Sequence, residues 1–310
     1  MSTLSQPLAD PLSRVALWLR DYAELTKLRV TSLIVMTTWC GYYFAAHKAG
    51  ATALEWGLFH ALLGIALVSS GTAALNEVLE CDADRQMLRT ARRPLPTGRM
   101  SLLHASVVGV SLTVGGSVYL ARFTNGLTGT LTFLTAVMYL AGYTPLKRVS
   151  PFCTFVGAFP GAMPGVLGWT AVRARIDWET AVLFGILFLW QFPHFFSIAW
   201  LYCEDYARGG VRMLPVVEPD GLSTARRIIL YSIFLIPVSL LPSFIGMSGR
   251  TYLVGAVLLG SGLLYFGVRL TGPKMPVASP ASKLRARHLL QATVIYLPIL
   301  FVIMMTDVKR

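Results

Sequence analysis

The sequence carries little charge for its length. Only 14% of its 310 residues are Asp, Glu, Lys or Arg, whereas 55% are hydrophobic and the mean hydropathy is +0.60. A soluble domain has about 25% charged residues, because it must cover its core with side chains that water accepts. The composition therefore excludes an ordinary soluble domain and indicates that lipid surrounds much of the protein.

Cysteine and acidic residues are scarce as well. The four cysteines form no CxxC pair, so neither a disulfide framework nor a zinc site is indicated. Fifteen acidic residues stand against 27 basic ones, which gives a net charge of +12. In a membrane protein such an excess is typical of the loops that orient helices, so we expect membrane lipid and no nucleic acid as the surroundings of this chain.

What the sequence does contain is a series of long apolar segments. A transmembrane helix needs roughly 20 predominantly apolar residues, and nine segments qualify. They are residues 30–47, 57–79, 102–121, 127–143, 152–172, 180–201, 228–247, 252–270 and 289–306. The fifth segment contains Pro160 and Pro164, which indicate either a kink or a break in the helix that lines a cavity.

The basic residues predict the orientation of these spans. With nine spans, the N-terminus and every second loop share one side, and that side holds 20 of the 27 Lys and Arg residues. The positive-inside rule then places the N-terminus in the cytoplasm and the C-terminus in the periplasm, for a multi-pass protein of a bacterial inner membrane. Residues 1–28 are predicted to be a cytoplasmic segment and residues 29–310 a single polytopic domain. Within the first segment, either 11–25 forms a short interfacial helix or the chain is a disordered tail up to about Leu12.

The acidic residues are concentrated in two loops. Eight of the fifteen follow the second and the sixth spans; they are Glu77, Glu80, Asp82, Asp84, Glu204, Asp205, Glu218 and Asp220. Asn76, Glu80 and Asp84 are spaced i, i+4, i+8, which places them on one face of a helix. Oxygen ligands in this arrangement suit Mg²⁺, which prefers one or two carboxylates together with substrate phosphate. The alternative is that these side chains are solvated groups at a helix end.

Basic residues follow each acidic cluster. Arg92 and Arg93 come after the first cluster, and Arg208 and Arg212 come within or after the second. Carboxylates that hold metal ions, with arginines beside them, would suit a diphosphate group. Because the two clusters are four spans apart, we expect a duplicated four-helix unit, spans 1–4 and 5–8, with the ninth span added.

These residues resemble the motifs of the UbiA superfamily of intramembrane prenyltransferases. The family's NxxxDxxxD motif matches Asn76, Glu80 and Asp84, with glutamate in the middle place, and its YxxxK motif matches Tyr143 and Lys147. The second acidic motif departs from the usual DxxxD, since the chain offers Glu204-Asp205 there. Within the superfamily the chain is most similar to the protoheme IX farnesyltransferases, through features that include the segment Trp190 to Phe195 and the segment Asp205 to Gly210.

The resemblance implies an all-α membrane protein with nine transmembrane helices around a central cavity and an active site at the cytoplasmic side. It implies transfer of the farnesyl group of farnesyl diphosphate to a vinyl group of heme B, with addition of water, to give heme O for terminal oxidases. A heme A synthase or a terminal oxidase is then an expected partner.

The residues expected to hold Mg²⁺, in a number that stays open, are Asn76, Glu80, Asp84, Glu204 and Asp205. Those expected to bind the diphosphate are Arg92, Arg93, Tyr143, Lys147, Arg208 and Arg212. The expected catalytic residues are Asn76, Glu80, Asp84, Lys147 and Asp205.

His194 lies inside the sixth span, and an ionisable residue within a membrane is a functional candidate by default. It either ligates or orients the heme iron, or it forms a hydrogen bond to a neighbouring helix.

Two other functions remain open from the sequence. One is the same fold acting on another acceptor, such as 4-hydroxybenzoate. The other is a secondary transporter of an anionic, lipid-like solute, which would place its acids near the middle of the bilayer. The clustering of the acids at helix ends on one side favours a chemical site.

Overall fold

The computed structural model describes residues 11–52, 54–271 and 276–309. Residues 1–10, which belong to the predicted N-terminal segment, lie outside the described residues, as do Lys274 and Arg310 from the basic set. The described chain is almost wholly helical, which confirms the all-α class. Its helices are α1 (Pro11–Leu25), α2 (Leu28–Ala49), α3 (Trp56–Gln86), α4 (Leu102–Phe123), α5 (Gly126–Val137), α6 (Thr144–Leu146), α7 (Cys153–Arg173), α8 (Trp178–Leu201), α9 (Cys203–Arg208), α10 (Leu214–Val217), α11 (Leu222–Phe244), α12 (Arg250–Thr271) and α13 (Pro280–Thr306).

Seven helices of the described chain are long and apolar enough to cross a membrane. They are α3, α4, α7, α8, α11, α12 and α13. The other two predicted spans coincide with α2 and with the helical segment 126–146, in which a π-helical stretch, Met138–Tyr143, separates α5 from α6. Neither is among the seven, because α5 has only 12 residues and α2 is less apolar.

Large apolar side chains cover the outer faces of these helices. Phe244, Leu258 and Val302, on α11, α12 and α13, are all exposed on the isolated chain. A water-soluble protein rarely presents contiguous apolar surface of this kind, so lipid is the solvent that such faces require. The protein is an integral membrane protein.

The order of helix contacts is the same in the two halves of the chain. In the first half α2 packs on α3, α3 on α4 and α4 on α5; in the second α7 packs on α8, α8 on α11 and α11 on α12. The last helix, α13, packs against α12 and α8 and also reaches α2. This packing agrees with a duplicated four-helix unit followed by one added helix.

The two halves meet where α2 crosses α7. A Cβ atom on Gly41 would lie 1.9 Å from the Gly165 carbonyl oxygen, and a Cβ on Gly168 would lie 1.9 Å from the Thr38 carbonyl oxygen. Any side chain at either position would force the two backbones apart, so these glycines set the close approach of the helices. Glycine at such crossings is common in membrane helices, where packing holds the helices together.

The two prolines of α7 do not interrupt it. The helix is continuous from Cys153 to Arg173, and both Pro160 and Pro164 are buried. Gln191 of α8 donates a hydrogen bond to the Ala158 carbonyl oxygen, at 3.0 Å, and so supplies α7 with a polar partner from the next helix. Of the two alternatives, a break is not observed in α7; the prolines are accommodated within a helix that has protein on several sides.

The N-terminal segment contains a helix. In α1 the side chains of Val15, Leu17, Trp18 and Leu19 are exposed, whereas Leu25 at its end is buried. Arg99 pairs with Asp21 at 2.9 Å and so fixes the end of α1 to the loop that follows α3. The chain then turns into α2 through Lys27, which has a left-handed backbone conformation with φ of 46°.

Candidate active site

The last turns of α3 carry a buried acidic stripe. This helix is 31 residues long, and its final third places Asn76, Glu80 and Asp84 one turn apart on one face, as their spacing predicts. Asn76 and Asp84 are buried and Glu80 is largely so. The prediction that these side chains share a face is confirmed by the helix, and their burial argues against a merely solvated helix end.

Three basic side chains reach this stripe from three other parts of the chain. The ammonium of Lys27 donates to Asn76 Oδ1 at 2.6 Å, and Lys147 Nζ lies 2.8 Å from Glu80 Oε1. Arg93 Nη1 lies 2.8 Å from Asp84 Oδ2. Buried charges are tolerated when they are paired in this way. The carboxylates of α3 and the basic side chains from other segments therefore depend on each other to remain buried.

The loop after α3 folds back to present Arg93. Thr90 Oγ1 donates to the Asp84 carbonyl oxygen at 3.0 Å, which ties the loop to the end of the helix. Leu95 is buried against Leu25 and other apolar side chains, and this packing fixes the loop from the other side. Arg92, the neighbouring residue, is exposed.

The π-helical stretch positions Tyr143 and Lys147. Asn76 Nδ2 donates to Thr144 Oγ1 at 3.1 Å, so α3 is joined directly to the residue that follows Tyr143. The Lys147 ammonium lies 4.4 Å from the centre of the Tyr143 ring, within range of a cation–π contact. Single π-helical turns are frequent at functional sites, and here one aims two motif residues at the same place.

The charges of the cluster shift the basicity of its two lysines. Burial and the positive charge of Arg93 lower the pKa of Lys27 to about 8, while Glu77 and Glu80 act in the opposite sense. Burial also opposes the charged form of Lys147, but Tyr143 and Glu80 hold its pKa well above the usual value. Lys147 therefore keeps its proton more strongly than an ordinary lysine, whereas Lys27 loses its proton more readily.

Glu77 belongs to the same cluster although sequence reasoning did not assign it a role. Its side chain is fully buried, and neither of its oxygens has a hydrogen-bond partner among the described residues. Arg93 Nε is the nearby charge, at 3.6 Å. Glu77 precedes Asp84 by seven residues, two helical turns, and this spacing is the signal that could have found it.

The second acidic cluster is divided between two environments. Asp205 of α9 is buried, accepts a hydrogen bond from the Leu88 amide at 3.2 Å and pairs with Arg208. Burial opposes its ionised form, but the hydrogen bonds from Arg208 and the Leu88 amide keep the pKa of Asp205 below its usual range. Through the hydrogen bond from the Leu88 amide, Asp205 joins α9, in the second half of the chain, to the loop that leaves α3.

Glu204 faces the other way. Its side chain is 57% exposed and pairs with Lys283 of α13 at 2.9 Å. The one-residue step along α9 places Glu204 beside Lys283, whereas Asp205 contacts the Leu88 amide, and the expected role of Glu204 as a metal ligand stays a prediction. Of the predicted pair, only Asp205 contacts the loop that leaves α3.

The remaining predicted diphosphate ligands lie at the exposed edge. Arg208 is partly exposed beside Asp205, and Arg212 is exposed, although its amide donates to the Lys147 carbonyl oxygen at 2.7 Å. Arg89 stacks over the Tyr202 ring at 5.2 Å. These arginines lie outside the buried cluster, whereas Arg93 and Lys147 lie within it.

The donor chemistry of the cluster fits a hard divalent cation. Asn76, Glu80 and Asp84 offer oxygen ligands, and the two orphaned oxygens of Glu77 are the kind of buried group that a cation satisfies. Across the described ranges, no three His, Cys, Asp or Glu side chains converge as a ready metal site, and Glu80 and Asp84 instead pair with Lys147 and Arg93. A diphosphate that binds here would be a second anionic partner for those bases. The carboxylate oxygens that the bases contact would then become available to a cation.

His194 lies in α8, away from the acidic stripe. Its Nδ1 is 2.9 Å from Thr293 Oγ1 of α13, and its ring stacks on Trp190 with 4.7 Å between the ring centres. The expected hydrogen bond to a neighbouring helix is therefore present, and it uses only one of the two ring nitrogens.

Comparisons with known proteins agree with this geometry. Residues 34–301 match the UbiA prenyltransferase family. The chain belongs to that family. Curated relatives include the protoheme IX farnesyltransferase of Koribacter versatilis (strain Ellin345), 56% identical over 307 residues that cover 99% of both chains. The protein of the same name from Solibacter usitatus (strain Ellin6076) is 50% identical over 295 residues, which cover 93% of this chain and 99% of that one. The resemblance seen in the sequence is thus confirmed.

Solved structures of the family show the same fold. A digeranylgeranylglyceryl phosphate synthase aligns with a TM-score of 0.70 at 17% identity, over 93% of this chain and 98% of its own. A UbiA homologue from Archaeoglobus fulgidus, bound to GPP and Mg²⁺, aligns with a TM-score of 0.54 at 14% identity, over 92% and 99% of the two chains. Identity this low supports the fold alone, and the expectation of a UbiA-like helical fold is confirmed.

Proposed function

We propose that this protein transfers the farnesyl group of farnesyl diphosphate to a vinyl group of heme B. Farnesyl diphosphate, heme B and water are consumed, and heme O and diphosphate are released, so that the vinyl group becomes a hydroxyethylfarnesyl substituent. The observation that carries the proposal is the buried cluster in which Asn76, Glu80 and Asp84 meet Lys27, Arg93 and Lys147. The heme acceptor is supported by relatives of 56% and 50% identity that are named protoheme IX farnesyltransferase.

The bases of the cluster are proposed to bind the diphosphate. Lys147 and Arg93 are held in place by Glu80 and Asp84, so they need little reorganisation when an anion arrives. Arg92, Arg208 and Arg212, at the exposed edge, would receive the diphosphate first. Positive charge fixed around the leaving group stabilises the negative charge that develops as the allylic C–O bond breaks.

Asn76, Glu80 and Asp84 are proposed to hold Mg²⁺; for a second ion we favour the buried Asp205 over Glu204, which is exposed beside Lys283. Bound Mg²⁺ would neutralise charge on the leaving diphosphate. The UbiA homologue from Archaeoglobus fulgidus bound to GPP and Mg²⁺ supports this assignment.

Aromatic side chains are proposed to shield the farnesyl group. Tyr139 and Tyr143 lie with ring centres 5.1 Å apart, next to Lys147. Ring faces of this kind attract positive charge and exclude water, so they suit an allylic group from which diphosphate is leaving. The proposed place of the porphyrin is beside His194, deeper in the helical bundle.

The same proposal includes the topology of the chain. Residues 29–310 form one catalytic domain with nine spans, α2 and segment 126–146 being added to the seven strongly apolar helices, around a central cavity. The N-terminus and the active site lie on the cytoplasmic side of a bacterial inner membrane and the C-terminus in the periplasm. The concentration of 20 of the 27 basic residues on one side supports this orientation. A heme A synthase or terminal oxidase would receive the product.

The test is a transfer assay with the purified full-length protein in detergent or nanodiscs. Farnesyl diphosphate and Mg²⁺ are supplied with heme B in one reaction and with 4-hydroxybenzoate in another, and products are analysed by mass spectrometry. We expect a heme product heavier by one farnesyl group and one hydroxyl group, and none from the second acceptor. Farnesylated 4-hydroxybenzoate without farnesylated heme would overturn the acceptor assignment while leaving prenyl transfer intact.

A further inference from the structure

Thr293 of α13 holds two side chains of α8. Its hydroxyl oxygen is 2.9 Å from His194 Nδ1, and its carbonyl oxygen accepts a hydrogen bond from Trp190 Nε1, also at 2.9 Å. Trp190 and His194 are four residues apart and stack with an interplanar angle of 17°. One fully buried residue of α13 therefore fixes a histidine and the ring on which it stacks.

The contacts of Thr293 favour one protonated form of the His194 ring. The Thr293 hydroxyl lies 2.7 Å from the Leu290 carbonyl oxygen, which can only accept. A hydroxyl has one proton and two lone pairs, so with its proton directed to that carbonyl it accepts from His194. In this arrangement Nδ1 carries the ring proton and Nε2 carries the lone pair.

The Nε2 atom is left without a hydrogen-bond partner among the described residues, while Nδ1, on the other side of the ring, is occupied. A neutral imidazole with a free Nε2 is a common ligand for iron. Histidines that bind metals almost always donate their other N–H to an acceptor, which fixes the ring and raises its basicity. Thr293 provides that acceptor before any ligand is present.

The position of His194 along α8 is compatible with such a role. It precedes the last residue of α8, Leu201, by seven residues, which is about 10 Å of helix. Beyond Leu201 the chain reaches Asp205 and the acidic cluster. A porphyrin whose iron binds His194 would therefore lie farther from the end of α8 than the diphosphate does. The size of a porphyrin is sufficient to cover that distance.

We infer that Thr293 is a positioning residue for the heme acceptor: it fixes His194 in the Nδ1–H form so that Nε2 binds the heme iron. This inference deepens the proposed function and rests on it. The competing explanation is that the contact only joins α8 to α13, as polar pairs between membrane helices commonly do.

The test measures heme binding rather than turnover. Ferric and ferrous heme B are added to the purified full-length protein without farnesyl diphosphate. Affinity is obtained by absorbance titration, and the iron–histidine stretching band of the ferrous complex is recorded by resonance Raman spectroscopy. That band depends on the hydrogen bond at Nδ1, so it reports on Thr293 in a way that helix stability does not.

Four variants distinguish the two explanations. His194→Ala is expected to lose the band and to regain a nitrogen-ligated absorption spectrum when imidazole is added. Thr293→Val is expected to shift the band and to weaken heme binding by about 10-fold or more, whereas Thr293→Ser restores both. Ser239→Ala is the matched control, because it removes another buried contact with α13, the 2.7 Å hydrogen bond to the Tyr296 hydroxyl, and should leave the band unchanged.

Unchanged band and affinity in Thr293→Val would overturn the positioning role, and an unchanged band in His194→Ala would overturn ligation by His194. If Ser239→Ala shifts the band as much as Thr293→Val, the effect is general to α13 and the inference fails. Farnesyl transfer measured in parallel separates the two proposals. Wild-type protein that binds heme through His194 but transfers no farnesyl group contradicts the proposed function alone, whereas transfer without a His194-dependent band contradicts the inference alone.

Discussion

The two acidic clusters have similar sequences but different surroundings. At the end of α3 the carboxylates of Glu77, Glu80 and Asp84 all point into the protein, and basic side chains from other segments meet them. At the end of α8 only Asp205 does so, while Glu204 is exposed beside Lys283. A repeated motif therefore does not give a repeated site.

The difference follows from the ends of the two helices. α3 continues as one helix to Gln86, so residues four apart stay on one face as far as Asp84. α8 ends at Leu201, and Tyr202, with φ of −109° and ψ of 25°, turns the chain before α9 begins. The acids after that turn no longer share a face with α8. The first cluster is thus the centre of the proposed site and the second supports it.

The largest expected effect is at Asp84. Asp84→Asn removes the carboxylate that pairs with Arg93 and that is proposed to bind Mg²⁺, so we expect farnesyl transfer to fall about 100-fold or more. The assay is product formation by mass spectrometry, with size-exclusion chromatography to show that the protein is folded. Asp82→Asn is the matched control, because Asp82 is 80% exposed and, among the described residues, pairs only with Arg85 in the same helix. Equal loss in both variants would contradict a special role for the buried stripe.

The next effect is expected at Lys147. Lys147→Met keeps the length of the side chain but leaves Glu80 without its positive partner. It also removes the hydrogen bond that Lys147 is proposed to donate to the diphosphate, and such a charge-assisted hydrogen bond contributes about 1.5–3 kcal/mol. We therefore expect the KM for farnesyl diphosphate to rise by about 10-fold to 100-fold. Arg148→Met, at the exposed neighbouring residue, should leave KM unchanged. A KM shift in Arg148→Met that matches Lys147→Met would mean that loop charge in general attracts the substrate.

A smaller effect is expected in the second cluster. Asp205→Asn weakens the contacts with the Leu88 amide and with Arg208, and we expect transfer to fall about 10-fold. Glu204→Gln, at the adjacent residue, should behave as wild type because its side chain faces Lys283. Steady-state transfer rates of the two variants show which of the two carboxylates matters for the reaction. A greater loss in Glu204→Gln than in Asp205→Asn would reverse the assignment of the inward carboxylate.

The smallest effect is expected at Lys283. Its ion pair with Glu204 is largely exposed, and such pairs contribute less than about 1 kcal/mol. Lys283→Met should therefore leave the transfer rate unchanged and shift thermal unfolding in detergent only slightly. A drop in rate similar to that of Asp205→Asn would show that the second cluster acts through α13 and would weaken the contrast between the clusters.

Much of the fold could be predicted from the sequence because membrane helices leave a strong signal. Long apolar runs identified the helices, and the spacing of Asn76, Glu80 and Asp84 identified one face of α3, since helical periodicity is a local property. Tyr143 and Lys147, which were matched through the YxxxK motif, also lie together, and a π-helical stretch rather than an ordinary α-helix sets their geometry.

Other parts of the site depend on contacts that no local pattern encodes. Only Arg93 of the pair Arg92–Arg93 points inward, and this choice depends on how the loop packs through Thr90 and Leu95. Lys27 reaches Asn76 only because its backbone adopts a left-handed turn between α1 and α2. Glu204 and Asp205 are adjacent acids that the sequence does not distinguish; both lie in α9, where Asp205 contacts the Leu88 amide and Glu204 pairs with Lys283.

The most direct test of the central claim is binding of a substrate analogue that cannot react. Farnesyl thiodiphosphate is titrated by calorimetry into wild type, Asp84→Asn and Asp82→Asn, each with Mg²⁺ and with EDTA. The proposed site predicts that Mg²⁺ strengthens binding to wild type and Asp82→Asn, and that this dependence on Mg²⁺ disappears in Asp84→Asn. Binding to Asp84→Asn that responds to Mg²⁺ as strongly as wild type would contradict the placement of the diphosphate site at the acidic stripe of α3.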